Sequence, residues 1–250
     1  MNHTHAGTLP LLVVAAAVGY ETLALLTGPS RRTLVFLAGC TLVVAGLDPA
    51  VSPWPAGDLR THMLQHLLTG MLGPLALVLG APVTLLLRTL PRRGARSLGR
   101  MLRAGPVRAV ADPWVALALS TGGLVVLYCT PLYAAAAADP GLHGLLHVHF
   151  LLSGYLFAWV VAGPDPGPHR PPVPMRLVVL GVAVAVHASL AQLMYAGILV
   201  DLPVPDAERR GAAELMYYAG DIAELLVAGA LVASWRPVPR RAAGVVKLPR

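Results

Sequence analysis

The sequence predicts an all-α, polytopic membrane protein of seven transmembrane helices, with the N-terminus outside and the C-terminus in the cytoplasm. Three observations predict it. The 250 residues are 56% hydrophobic and only 12% charged, about half the charged fraction with which a soluble domain covers its surface. Seven stretches are apolar over a length near the roughly 20 residues that a helix needs to cross hydrocarbon. The basic residues crowd into alternate connections, as membrane topology requires. Runs such as Leu75 to Leu87 lack the alternation of barrel strands. The same composition excludes disorder. Cys40 and Cys129 lie in apolar runs and form no disulfide framework.

The spans run about 9–27, 33–48, 61–88, 113–133, 142–163, 174–200 and 211–235. No positive residue precedes the first, and Arg31 and Arg32 follow it, so it reads as an N-out anchor rather than a cleaved signal. The second is the shortest. The third is long and is expected to kink at Pro74, because proline removes an intrahelical hydrogen bond. The connections after spans one, three, five and seven hold 16 of the 19 basic residues, leaving Arg60, Arg209 and Arg210 for the other side. Three parts follow: an extracellular tail (1–8), a helical domain (9–235) with an Arg-rich cytoplasmic loop (89–112), and a basic cytoplasmic tail (236–250). The net charge of +7 therefore points to the lipid bilayer as partner and not to nucleic acid. No phosphate-binding loop or nucleophile elbow is present, and no enzymatic activity is expected.

Ionisable residues inside spans are costly and mark candidate sites. His62 and His66 are four residues apart at the outer end of span three, hence on one helix face. His143 and His147 repeat that spacing at the outer end of span five. Two imidazoles so placed can reach one metal ion. His187 lies near the middle of span six, with Met194 seven residues on along the same face. Glu214, Tyr217, Asp221 and Glu224 form one stripe on span seven, with Asp221 about 15 Å from the expected helix start. Seven of nine histidines (His3, His5, His62, His66, His143, His147 and His149) fall in the outer half or outside it. His169 alone belongs to the cytoplasmic side.

The candidate metal ligands are therefore His62, His66, His143, His147, His187 and Asp221, with Cys129, Met194, Glu214 and Glu224 as additional ones. Imidazole with thioether or thiolate suits Cu(I), whereas imidazole with carboxylate suits zinc, iron or Cu(II). Helix-bridging histidines bonded to carbonyls are the alternative, as is a haem held axially. Covalent c-type haem is excluded, because no CxxCH is present. His149 is two residues from His147 and points elsewhere, to either a structural or a ligand role.

Several segments resemble one family. They are His62-Met63-Leu64-Gln65-His66-Leu67-Leu68 running into Gly73-Pro74-Leu75 and Leu79-Gly80-Ala81-Pro82-Val83, then Asp112-Pro113 and Leu132-Tyr133. His143 to His147, Gly163-Pro164-Asp165-Pro166, Gln192-Leu193-Met194-Tyr195-Ala196 and Leu215-Met216-Tyr217-Tyr218-Ala219-Gly220-Asp221 complete them. Over roughly 35–235 the chain resembles the seven-helix CtaG proteins of Gram-positive and actinobacterial type. That resemblance implies an assembly factor for haem-copper cytochrome c oxidase in the bacterial plasma membrane. It implies oxidase subunits as partners, and copper rather than haem, bound or delivered at the outer face. Many members carry Trp-His before the proline of span four, where this chain reads Tyr128-Cys129-Thr130-Pro131. If that histidine is a ligand, Cys129 replaces it and favours Cu(I). Other readings are a copper or proton-coupled metal transporter, a haem-binding membrane protein, and a scaffold that binds no metal. Neutral imidazole is the binding form, so copper affinity is expected to fall as the pH drops through about 6.5.

Overall fold

The computed structural model describes residues 8–28, 30–168, 170–200 and 202–235. His3, His5, His169 and the basic tail from Arg236 lie outside the described residues. The described residues are helical throughout, without strands. Helix α1 (Thr8–Thr27) is followed by α2 (Arg31–Leu47). Helix α3 (Leu59–Thr89) is 31 residues long. Two short helices, α4 (Arg92–Leu102) and α5 (Gly105–Val110), occupy the expected Arg-rich loop. At 11 residues, α4 rises only about 16 Å and is too short to cross hydrocarbon. Next come α6 (Pro113–Cys129), α7 (Leu132–Ala138), α8 (Pro140–Ala162), α9 (Val173–Ala196) and α10 (Asp206–Ala233).

Five helices, α1, α3, α8, α9 and α10, are long and apolar enough to cross a membrane. The bent pair α6–α7, if it is one broken span, brings the number to six. With 17 residues, α2 rises about 26 Å, somewhat less than the hydrocarbon thickness.

Helix α3 is central, packed against α2, α8 and α10. Small residues let the backbones approach, as membrane helices require when apolar burial alone does not drive association. A Cβ on Gly39 would meet the Leu77 backbone nitrogen at 2.7 Å, and one on Gly73 would meet Val43 at 2.6 Å. Gly46 sits as tightly against Leu68, and Gly80 against Phe36. Pro74 offers no N–H to the carbonyl of Gly70 one turn earlier. That carbonyl instead faces Gly154 of α8, which has no room for a Cβ, giving a Cα–H···O contact.

Several expected boundaries move, each for a backbone reason. In α3 the irregularity around Pro74 is a π-helical turn at Leu67–Leu72. The helix then breaks where Ala81 adopts φ 55°, ψ 55°, since the residue before Pro82 disfavours the right-handed helical region. Asp165 caps the segment that restarts there, Pro82–Thr89, accepting from Val83 N at 3.0 Å and Thr84 N at 2.7 Å. Span four, expected to reach 133, ends at Cys129. Thr130 is extended ahead of Pro131, and α7 departs at 80°. Span six stops at Ala196, not 200: Gly197 is left-handed (φ 70°), and Ile198 N closes the end on Leu193 O at 3.0 Å. Span seven begins at Asp206, not 211, with Asp206 and Glu208 in its first turn. Asp221 therefore lies about 22 Å along that helix rather than 15 Å.

Candidate functional site

The starts of α3, α8 and α10 and the ends of α6 and α9 meet at one end of the bundle. Their termini are tied down. Asp58 caps α3 through Arg60 N at 2.8 Å, and Leu59 N donates to Glu208 of α10 at 2.6 Å. Arg209, 8% exposed, donates to the carbonyls of Met194 and Tyr195 that close α9. Asp139 caps α8 through Gly141 N at 2.7 Å. Asp58 lies ahead of the helix, and its hydrogen bond from Arg60 holds its carboxyl below the ordinary carboxylate value.

Within this frame the HxxxH pairs of α3 and α8 face each other. The His62 ring centroid is 5.6 Å from that of His143 and 6.4 Å from that of His147. The His143 and His147 rings are 4.7 Å apart, with their Nε2 atoms 3.0 Å from one another. Two tyrosines wall the group: Tyr133 lies 5.2 Å and Tyr128 6.3 Å from the His62 ring. Tyr133 arrives there because the Thr130–Pro131 break folds α7 back over the end of α3. Both ring nitrogens of His62 and the Tyr128 hydroxyl are buried without a hydrogen-bond partner among the described residues.

A second tier lies deeper. His66 is 6% exposed and packs edge-on to Phe150 at 4.9 Å. His187 on α9 is 2% exposed and nests against Gly220 of α10, which has no space for a side chain. Its Nδ1 is 3.6 Å from Glu224 Oε1, beyond hydrogen-bond contact. Both nitrogens of His66 and of His187, and Glu224 Oε2, have no hydrogen-bond partner among the described residues. Such orphaned polar atoms cost several kcal/mol in a low-dielectric interior. His66 lies within electrostatic reach of His147 and His187, and Asp221 within reach of His187 and Glu224.

The remaining candidates separate. Cys129 and Glu214 are exposed. Met194 is fully buried in an apolar cluster with Met63 and Met216, and Asp221 is half-buried. His149 turns its Nε2 to the carbonyl of Leu119 at 3.1 Å, within the π-helical turn Ala118–Gly122 of α6. Among the described residues no three His, Cys, Asp or Glu side chains are grouped as a finished metal site. The tyrosines flanking His62 were not among the sequence candidates. The signal was the Thr130-Pro131 pair, which turns the chain over the histidines.

The sequence model of the family described as cytochrome c oxidase caa3 assembly factor (Caa3_CtaG) matches residues 12–237. Uncharacterized proteins of Mycobacterium bovis and Mycobacterium tuberculosis are each 34% identical over 167 residues, covering 64% of this chain and 25% of their own length. One of Mycobacterium leprae is 28% identical over 236 residues, covering 87% of this chain and 36% of its own. The chain thus spans about a quarter to a third of the length of these relatives. No solved structure matches it significantly.

Proposed function

The chain belongs to the family of cytochrome c oxidase caa3 assembly factors, and from that premise we propose that it binds copper as cargo and hands it to the copper centres of the oxidase. The protein is a non-catalytic member of the plasma membrane, with α2 as a seventh span beside the six. The arginine-bearing connections face the cytoplasm and the histidine end faces outward. Its partners are haem-copper oxidase subunits at that outer face.

One observation carries this reading. His62, with both nitrogens buried and unpartnered, is presented to a second imidazole pair on another helix. Two nitrogens bound to one ion at about 2.0–2.1 Å lie no more than roughly 4 Å apart; the His143 and His147 Nε2 atoms, at 3.0 Å, fall inside that limit. An all-imidazole set suits copper better than a hard cation. His66 stands one turn below as the next donor. Cys129 takes no part, because its side chain faces away from the bundle.

A second reading is favoured by the deeper tier. His66, His187, Glu224 and Asp221 continue from the cluster into the bundle, a line that a transporter would need. Copper uptake by reconstituted vesicles, abolished by Asp221→Asn, distinguishes transport from one-sided binding.

The first test is metal content after purification in mild detergent and loading with reduced copper. We expect about one copper per chain and no Soret band, with the copper lost in His62→Ala/His66→Ala. Unchanged copper in that variant contradicts the ligand assignment, and a Soret band assigns the histidines to haem.

A further inference from the structure

At the end of the bundle away from the histidines, α1, α2 and the last segment of α3 enclose a cleft of about 310 Å³. Tyr20, Ser30, Arg32, Thr33, Thr84 and Arg88 line it, and among the described residues no carboxylate does. The break in α3 shapes one wall, where the Tyr20 hydroxyl donates to Gly80 O at 2.7 Å. Asp165, the nearby acid, accepts from Val83 N, from Thr84 N and from the hydroxyl of the cleft residue Thr84. Among the described residues, neither Arg32 nor Arg88 pairs with a carboxylate. The start of α2 opens onto the same space and adds the positive end of its dipole.

We propose that this cleft binds the phosphate of an anionic phospholipid headgroup. Two guanidinium groups with no carboxylate partner among the described residues form a phosphate-binding donor set, whereas the Tyr20 and Thr84 hydroxyls already donate to Gly80 O and Asp165. The volume is at the small end for ligand sites: it holds a phosphate and glycerol but not acyl chains. The acyl chains have a place outside. Leu25 and Leu26 of α1, beside the cleft residues Ala24 and Thr27, are 70% and 75% exposed and form an apolar wall along which they would run. Basic pockets between helices at the cytoplasmic membrane surface are suited to such headgroups.

Native mass spectrometry of the delipidated full chain, with added cardiolipin or phosphatidylglycerol, tests this. The wild type is expected to retain bound lipid. Arg32→Gln/Arg88→Gln is expected to lower occupancy about tenfold or more, while Arg32→Lys/Arg88→Lys keeps most of it. Arg92→Gln/Arg93→Gln, outside the cleft, should behave as wild type. Thr27→Trp fills the space without touching either arginine and should also expel the lipid, so the result does not rest on one variant's folding. Added inorganic phosphate that displaces the lipid identifies a site for free phosphate as well. Failure to displace it identifies a site specific for the lipid form. Equal lipid retention by the wild type, the glutamine pair and Thr27→Trp overturns the proposal.

Discussion

The Nε2 atoms of His143 and His147 lie 3.0 Å apart, one helical turn from each other on α8, with His62 of α3 facing them. The i,i+4 spacing places both rings on one face, but spacing alone does not set them against a third imidazole. That requires α3 and α8 to approach closely, and Gly154 against the freed carbonyl of Gly70 is where they do. The packing of two small residues, some distance below, thus holds the histidines in register.

Gly154→Leu should accordingly be among the most damaging single changes. Its side chain would enter the backbone of α3, and forced overpacking costs about 1–3 kcal/mol or more. Gly229→Leu, on a stretch of α10 with nothing within 4 Å of the added Cβ, should be neutral. Thermal unfolding in detergent compares them; equal melting temperatures would remove the α3–α8 contact from the account.

Asp165→Ala should destabilise the arginine end while leaving the histidines in place. It removes two capping bonds and the bond from the Thr84 hydroxyl on the Pro82–Thr89 segment, a loss of about 1–2 kcal/mol. Lower thermal stability with unchanged copper stoichiometry is the expected pair of results.

His149→Ala separates a structural histidine from the proposed ligands. Loss of its bond to Leu119 O should cost about 1 kcal/mol and leave copper binding intact. Copper loss in this variant, with stability unchanged, would return His149 to the ligand set.

Acid should loosen the start of α3 through Asp58. Because Arg60 holds the folded-state carboxyl below its ordinary value, the contribution is present above about pH 4 and is lost as the pH falls through the depressed folded value. The expected size is about 1 kcal/mol or less, as for partly exposed ion pairs. The stability difference between wild type and Asp58→Asn should shrink as the pH is lowered from about 4 towards about 2, and a constant difference across that range would contradict it.

Much of this architecture was legible in the sequence, because apolar length and HxxxH spacing are local signals. The facing of the two pairs was legible only as a shared membrane level, since which helices touch depends on glycines whose partners lie far along the chain. The turn of α7 was hidden inside an apolar run: Leu132 to Ala138 continues the hydropathy of span four, and only Pro131 marks the change of direction. Asp165 reads as a loop residue until the break at Ala81 supplies amides for it to cap. Cys129 takes its place in the candidate list from its neighbours in sequence. The extended backbone at Thr130 ends the helix there, and the Cys129 side chain is exposed.

X-ray absorption spectroscopy of the copper-loaded protein shows whether α3 and α8 supply one shared site. Scattering from the His62, His143 and His147 rings is expected, with one imidazole fewer in His62→Ala. A spectrum that His62→Ala leaves unchanged, or one dominated by sulfur, would contradict it.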